Sequence, residues 1–194
     1  MNDDELMERV AGGDEEAARL LVMRWERAVY SFLERMLGSR EDAQDLGQET
    51  FIRICAEARR YKAAGKFRSW LFRIAGNLAR SRLRRRRIVS WISFSPGLHD
   101  RASSDEGPHA FVEREESRRE VRRALAGLPE RQRRAIVLRN YHDFSYREIA
   151  EAMDITLPAV ESLLQRGMAA LRMELGGTGA GNRRREQATG RTRT

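Results

Sequence analysis

A single cysteine, Cys55, stands in the whole chain, so an internal disulfide is impossible. Set among Ile52, Ile54 and Ala56, it is expected to be a buried helical thiol. The three histidines, His99, His109 and His142, are scattered with no metal-ligand spacing, so no structural metal is expected. Apolar runs are short: none approaches the roughly 20 residues that span a bilayer. The opening stretch MNDDELMERV is acidic and has no apolar signal core. These absences predict a soluble cytoplasmic protein with no membrane insertion. Strand-like alternation is absent too, and prolines number only four. Nothing resembles a nucleophile–base pair, paired carboxylates around a cleft or a Gly-rich phosphate loop, so neither catalysis nor a cofactor is expected.

Charge is abundant, at 34% of residues against 41% hydrophobic, which predicts a modest core. Its distribution says more than its total of +8. Residues 58–87 hold 12 basic side chains and no acidic one, whereas residues 1–57 hold 7 basic and 14 acidic. A basic block of that density is an electrostatic footprint for a polyanion, above all nucleic acid. A solvated face or a disordered arm gives the same count. Here Trp70, Leu71, Phe72, Ile74 and Leu78 interleave with the arginines, which predicts a folded helix.

Helical spacing runs nearly throughout. GGDEEAARLLVMRWERAVYSFLERML opens on a Gly-Gly break with Asp14 as cap, then repeats Leu21, Trp25, Val29, Phe32 and Met36. GSREDAQDLGQETFIRICAEARR starts a second helix capped by Ser39, with Asp42 in a capping-box-like position. A third helix runs from about Phe67 to Arg87. In residues 88–118, Pro96, Gly97, Gly107, Pro108 and several serines mark a flexible linker, with Trp91, Ile92 and Phe94 available to dock on a partner or on the first domain. A second helical domain follows, with a break at Gly127, Pro129 near a helix start and apolar Ile136 and Leu138. Next, Tyr146, Ile149, Ala150 and Met153 line one helix face, residues 154–156 break the chain, and Val160, Leu164, Gly167 and Leu171 line the next helix. That is the pattern of a helix-turn-helix, with YHDF (141–144) as the turn before it. Residues 176–194 are Gly/Thr/Arg-rich and read as a disordered basic tail. The expected fold is all-α: two small helical domains, 1–87 and 119–175, joined by the flexible linker 88–118, the second domain carrying the helix-turn-helix.

Four segments, in order and at the right spacing, resemble the extracytoplasmic-function (ECF) group of the sigma-70 family of bacterial transcription initiation factors. LMERVAGGDEEAARLLVMRW is similar to the family's first helix and DAQDLGQETFIRI to its polymerase-binding helix. FRSWLFRIAGNLARSRLRRRR resembles its promoter-melting and downstream-element segment, and LPERQRRAIVLRNYHDFSYREIAEAMDI the start of its C-terminal DNA-binding domain. The resemblance covers about 5–90 and 119–175. It implies a sigma factor that binds core RNA polymerase, directs it to specific promoters and assists promoter melting. Promoter DNA and an anti-sigma factor are the further partners it implies.

On a helical wheel Glu41, Asp42, Asp45 and Glu49 share an arc about 100° wide, with Ala43, Leu46, Phe51 and Ile54 roughly opposite and Ile52 inside the acidic face. The helix dipole favours first-turn carboxylates, which accounts for Glu41 and Asp42 but not for Glu49. In the family the matching face docks on the clamp helices of the polymerase largest subunit. The resemblance therefore assigns Asp42, Asp45, Gln48, Glu49 and Ile52 to polymerase binding. In the basic segment, Arg73, Arg80, Arg84 and Arg87 recur on one helix face. WLFRIAGN matches the family's Trp-Leu-x-Arg-Ile-Ala-x-Asn pattern, which carries base contact to Asn77, an amide offering both donor and acceptor. With Lys62 and Lys66 of the preceding loop RYKAAGK, these residues are expected to hold the unpaired downstream (minus-ten) strand. Trp70 is assigned to the core. In the helix-turn-helix, Ser145, Tyr146, Pro158, Ser162, Gln165 and Arg166 are expected to face the upstream (minus-thirty-five) duplex, where Arg suits guanine and Gln adenine. Glu161, Leu163 and Met168 stand where many family members are basic, so phosphate anchors are sparse there.

Two rival functions fit parts of the chain. A one-component regulator acting on duplex DNA would need a ligand-sized N-terminal domain or a dimerisation helix, and neither is evident. An RNA-binding protein would use the arginine block but leave the acidic helix without a role.

Overall fold

The protein is described by a computed structural model that covers the backbone of residues 1–92 and 109–189 and the side chains of residues 1–89 and 118–176. Its elements are helical, and no strand occurs among the described residues. Helix α1 (Asp3–Ala11) starts at Asn2, whose side chain accepts from the Glu5 amide while Glu5 accepts from the Asn2 amide. That capping box satisfies two of the orphan donors at a helix start. Helix α2 (Glu15–Leu37) begins at Asp14, which accepts from the Ala17 amide at 3.0 Å. It ends at Gly38, where a φ of +69° suits a residue without a β-carbon. Helix α3 (Arg40–Glu57) is capped by Ser39, which accepts from the Asp42 amide at 3.2 Å. A short 3-10 turn (Ala58–Arg60) and a loop lead to α4 (Phe67–Ile92).

The second half comprises α5 (His109–Gly127), α6 (Glu130–His142), α7 (Tyr146–Met153) and α8 (Leu157–Thr189). Helix α7 starts with a capping box between Ser145 and Glu148. The turns flanking it are closed by Asp143 (φ 52°) and Asp154 (φ 55°), short polar residues of the kind that tolerate left-handed backbone. Helices α7 and α8 with the turn at Asp154 form the helix-turn-helix that the spacing predicts.

Three boundaries differ from the expected ones. Helix α4 continues past Arg87 to Ile92, and α5 begins at His109, so described helices enter the expected linker 88–118 from both ends. Both extensions are free of internal proline, and the second is rich in Glu and Arg, which are strong helix formers. Helix α8 continues to Thr189, where the composition predicts a disordered tail. Extending an existing helix avoids the cost of nucleation, which composition alone does not register. Phe94 lies outside the described residues, as do the side chains of Trp91 and Ile92.

The two halves pack on each other. Leu6, Met7, Phe32, Leu33, Met36, Leu71 and Phe72 are fully buried in the first, and Leu138, Phe144, Ile149 and Val160 in the second. Across the seam, the Phe72 ring lies 5.1 Å from Phe144 and 5.0 Å from His142, and Phe32 lies 6.0 Å from His142. An edge-to-face pair such as Phe72–Phe144 adds about 0.5–1.5 kcal/mol beyond the area it buries. Arg133, also buried, ties the seam together: it donates to the Met36 carbonyl at the end of α2 at 2.6 Å and to Ala126 and Leu128 in its own half at 2.5 and 3.2 Å.

Candidate nucleic-acid and partner interfaces

Helix α3 buries Ala43, Leu46, Thr50 and Ile54 and turns Asp45, Gln48 and Ile52 outward. Ile52 is 68% exposed, an isolated apolar side chain on an acidic surface. Glu49 is half-buried and pairs with Arg53 one turn on at 2.7 Å. Asp42 departs from the outward arc. It is only 7% exposed, and its two carboxylate oxygens accept from Arg82 and Arg86 of α4. The reason is geometric: Asp42 sits at the edge of the arc where α4 crosses, so its carboxylate ties α3 to the arginine block. Its carboxylate therefore does not complete a capping box with Ser39. Cys55 corrects a second expectation, for it is exposed on the outer side of α3. Partial burial still pushes its thiol pKa up.

The loop before α4 is held by α1. Asp4 accepts from the Tyr61 hydroxyl at 2.5 Å and from the Gly65 amide at 2.6 Å. Burial, then the Asp4 hydrogen bond, raises the Tyr61 pKa, so the phenol stays a neutral donor. Tyr61 lies 4.8 Å from Trp70 with the rings tilted at 45°, and Trp70 is half-buried, packing against the core while also lining a cleft. This cleft, about 430 Å³, is walled by Lys62, Lys66, Trp70 and Arg73 on one side and by Glu151 and Asp154 of α7 on the other. Lys62, Lys66, Arg73, Asn77, Arg80, Arg84 and Arg87 are all solvent-exposed. Only part of that row is open, however. Lys66 pairs with Glu151 at 2.7 Å, Arg73 with Asp154 at 3.5 Å, and Asn77 Oδ1 accepts from Arg134 at 3.5 Å.

Arg134 is the functional neighbour that sequence reasoning missed. Its guanidinium donates to the carbonyls of Phe72 at 3.1 Å and Ala152 at 2.7 Å. Burial pulls its pKa down to about 10, with Glu130 opposing, so it stays charged at neutral pH. Its lone sequence signal is the adjacent Gly76, where a β-carbon would collide with the guanidinium.

In the helix-turn-helix, Ser145 is occupied as the α7 cap, and the exposed Tyr146 ring carries Arg139 at 5.6 Å. Pro158 and Gln165 are exposed, and Ser162 is half-buried. Arg166, also exposed, folds back onto Ser162, donating to its hydroxyl at 2.8 Å. A shallow cleft of about 520 Å³ beside this face includes Tyr146, Glu161, Gln165 and Arg172.

Comparison with known proteins places this geometry. Residues 21–88 match the family model for sigma-70 region 2, and residues 118–171 the model for sigma-70 region 4. The ECF RNA polymerase sigma-E factor of Escherichia coli K12 is 34% identical over 180 residues, covering 88% of this chain and 93% of that protein. The chain belongs to the ECF group of the sigma-70 family. A solved structure of CnrH in complex with the cytosolic domain of CnrY shares 26% identity, with a TM-score of 0.70 over 90% of this chain and 97% of that one. In fold alone, the chain also resembles the sigma factor RpoE from Bartonella quintana, solved with the anti-sigma factor NepR (22% identity, TM-score 0.67, covering 81% of this chain and 96% of that one). This sigma factor is thus a transcription initiation factor that binds core RNA polymerase, directs it to promoters and assists their melting. Its family is non-enzymatic. No described helix is long and apolar enough to cross a membrane, and no cluster of metal-binding side chains occurs among the described residues.

Proposed function

We propose that the outward face of α3, made by Asp45, Gln48, Glu49 and Ile52, is the surface that docks on core RNA polymerase. Asp42 is left out because its carboxylate is consumed by Arg82 and Arg86. The loop and α4, through Lys62, Lys66, Arg73, Asn77, Arg80, Arg84 and Arg87, hold the unpaired downstream strand. Ser145, Tyr146, Pro158, Ser162, Gln165 and Arg166 face the upstream duplex. The factor acts in the cytoplasm, and an anti-sigma protein restrains it. The likeness to sigma factors solved with such partners supports that last point.

The carrying observation is that α3 exposes an acidic face that ends in the exposed Ile52 while its opposite face is core. Acid gathered in this way in a basic protein suits a protein partner better than DNA. The test is reversal of Asp45 and Glu49 to Arg, followed by co-purification with core polymerase. Loss of polymerase with unchanged circular dichroism is expected. Co-purification at wild-type yield removes α3 from the polymerase interface.

A further inference from the structure

Helix α7 and its C-cap carry acid at every third position: Glu148, Glu151 and Asp154. Helical rise spaces these about 4.5 Å apart along the axis. Each carboxylate faces a cation of the first half. Glu148 lies 3.3 Å from Arg68, Glu151 2.7 Å from Lys66 and Asp154 3.5 Å from Arg73. Lys66 and Arg73 are strand-holding residues in the reading above. A third, Asn77, has its amide oxygen taken by Arg134 from α6. Arg134 reaches it because Gly76 leaves the α4 backbone open, so the guanidinium also donates to the Phe72 and Arg73 carbonyls at 3.1 and 3.4 Å.

We propose that the helix-turn-helix half is a built-in competitor for the downstream single strand. The acidic ridge of α7 takes the place of the strand's phosphates, Arg134 occupies Asn77, and strand binding excludes closure of the two halves. This rests on the reading of α4 as the single-strand surface. The closure is reversible by construction. Its ion pairs are partly exposed (Lys66 59%, Asp154 78%) and individually weak. Burying the Arg134 charge counts against the closed state, even with its carbonyl partners. The apolar seam at Phe72 and Phe144 supplies the remainder. Arg80 and Arg84, further along α4, are exposed and stay uncovered by the ridge, so a strand has a place to land before it displaces α7.

The chain contains only two lysines, Lys62 and Lys66, which makes the closed contact directly readable. A carbodiimide joins a lysine amine to a carboxylate only when the two touch. In the full-length protein it is expected to form the Lys66–Glu151 amide, located by mass spectrometry, and a saturating fluorescent single-stranded 20-mer is expected to suppress it. In parallel, anisotropy of the same oligonucleotide compares wild type with Glu148→Gln/Glu151→Gln/Asp154→Asn. If the open form is about a tenth of the population, that variant binds about 10-fold tighter. The variant Glu8→Gln/Glu15→Gln/Glu26→Gln removes equal charge from exposed positions on α1 and α2, and so measures the general electrostatic gain. Its affinity is expected to stay within about twofold of wild type, because those charges lie outside the closed contact. An absent cross-link, a cross-link undiminished in protein saturated with strand, or equal gains for the two variants would overturn the competitor and leave α4 as a strand surface. No strand binding by wild type or the ridge variant would instead overturn the reading of α4 itself, and the competitor with it.

Discussion

Asp42 shows at the scale of one residue how a charge changes its job. Its nearly buried carboxylate accepts from two arginines of α4, so its removal leaves Arg82 and Arg86 with unpaired donors. Asp42→Ala is expected to lower stability by about 1–3 kcal/mol, read as a shift in the urea midpoint. The folded fraction should still co-purify with core polymerase, unlike the Asp45/Glu49 reversal. Arg166 gives a second residue-scale expectation. It is held by Ser162 and stands on the exposed side of α8. Arg166→Ala should relax base preference at one or two upstream positions, by about 1–3 kcal/mol at each base pair read. Arg84→Ala should instead weaken binding to all sequences and flatten its salt dependence. Selection of preferred promoters from a randomised upstream element separates the two behaviours.

At the scale of elements, α4 has two tasks that its sequence superimposes. One side, with Leu71, Phe72, Ala75, Leu78 and Ala79, is core, and the other carries the basic row. Gly76 and Asn77 lie where these sides meet α6. Gly76→Ala fills the notch that admits Arg134 while improving helix propensity. It is expected to loosen α4 from α6 and α7 without unfolding either half. Limited proteolysis should then cut more readily between the halves, while circular dichroism stays unchanged. Unaltered proteolysis would mean that Arg134 swings aside at no cost.

At the scale of the whole molecule, the two halves are joined through a seam that contains His142. Its ring packs against Phe32 and Phe72, its Nε2 has no hydrogen-bond partner, and Arg35 and Arg68 lie nearby. Burial first, then those two arginines, lowers its pKa to about 4, against the opposing pull of Asp143. The unfolded chain takes up a proton near pH 6.5 that the folded chain refuses until about pH 4. The stability from a neutral His142 is therefore complete above about pH 6.5 and is lost as pH falls toward 4, on the order of 1–2 kcal/mol after screening. His142→Phe should flatten the change in urea midpoint between pH 7 and 5, relative to wild type. Polymerase dependence belongs to this scale as well. With the downstream surface partly covered and few basic residues on α8, the free factor should bind duplex promoter weakly and with little selectivity. Adding core polymerase should create the preference for cognate over scrambled duplex at near-physiological salt. Strong selectivity by the free chain would favour a one-component regulator.

Periodicity by itself determined the all-helical fold, the helix-turn-helix at 146–171, the acid on α3 and the base on α4. These are local properties, repeating every 3.6 residues and fixed by which side chains share a helix face. Ser39 and Asp14 were legible as caps from their residue type just ahead of a helical pattern, whereas the Ser145 cap of α7 emerged only with the structure. The tertiary structure alone decided which edge of each face meets a neighbour. A helical wheel puts Asp42 beside Asp45 but cannot say that α4 crosses at Asp42. The same limit hid the pairing of Glu148, Glu151 and Asp154 with Arg68, Lys66 and Arg73. Those residues are some 80 positions apart, and nothing in a local pattern encodes the approach of two helices separated by that length of chain.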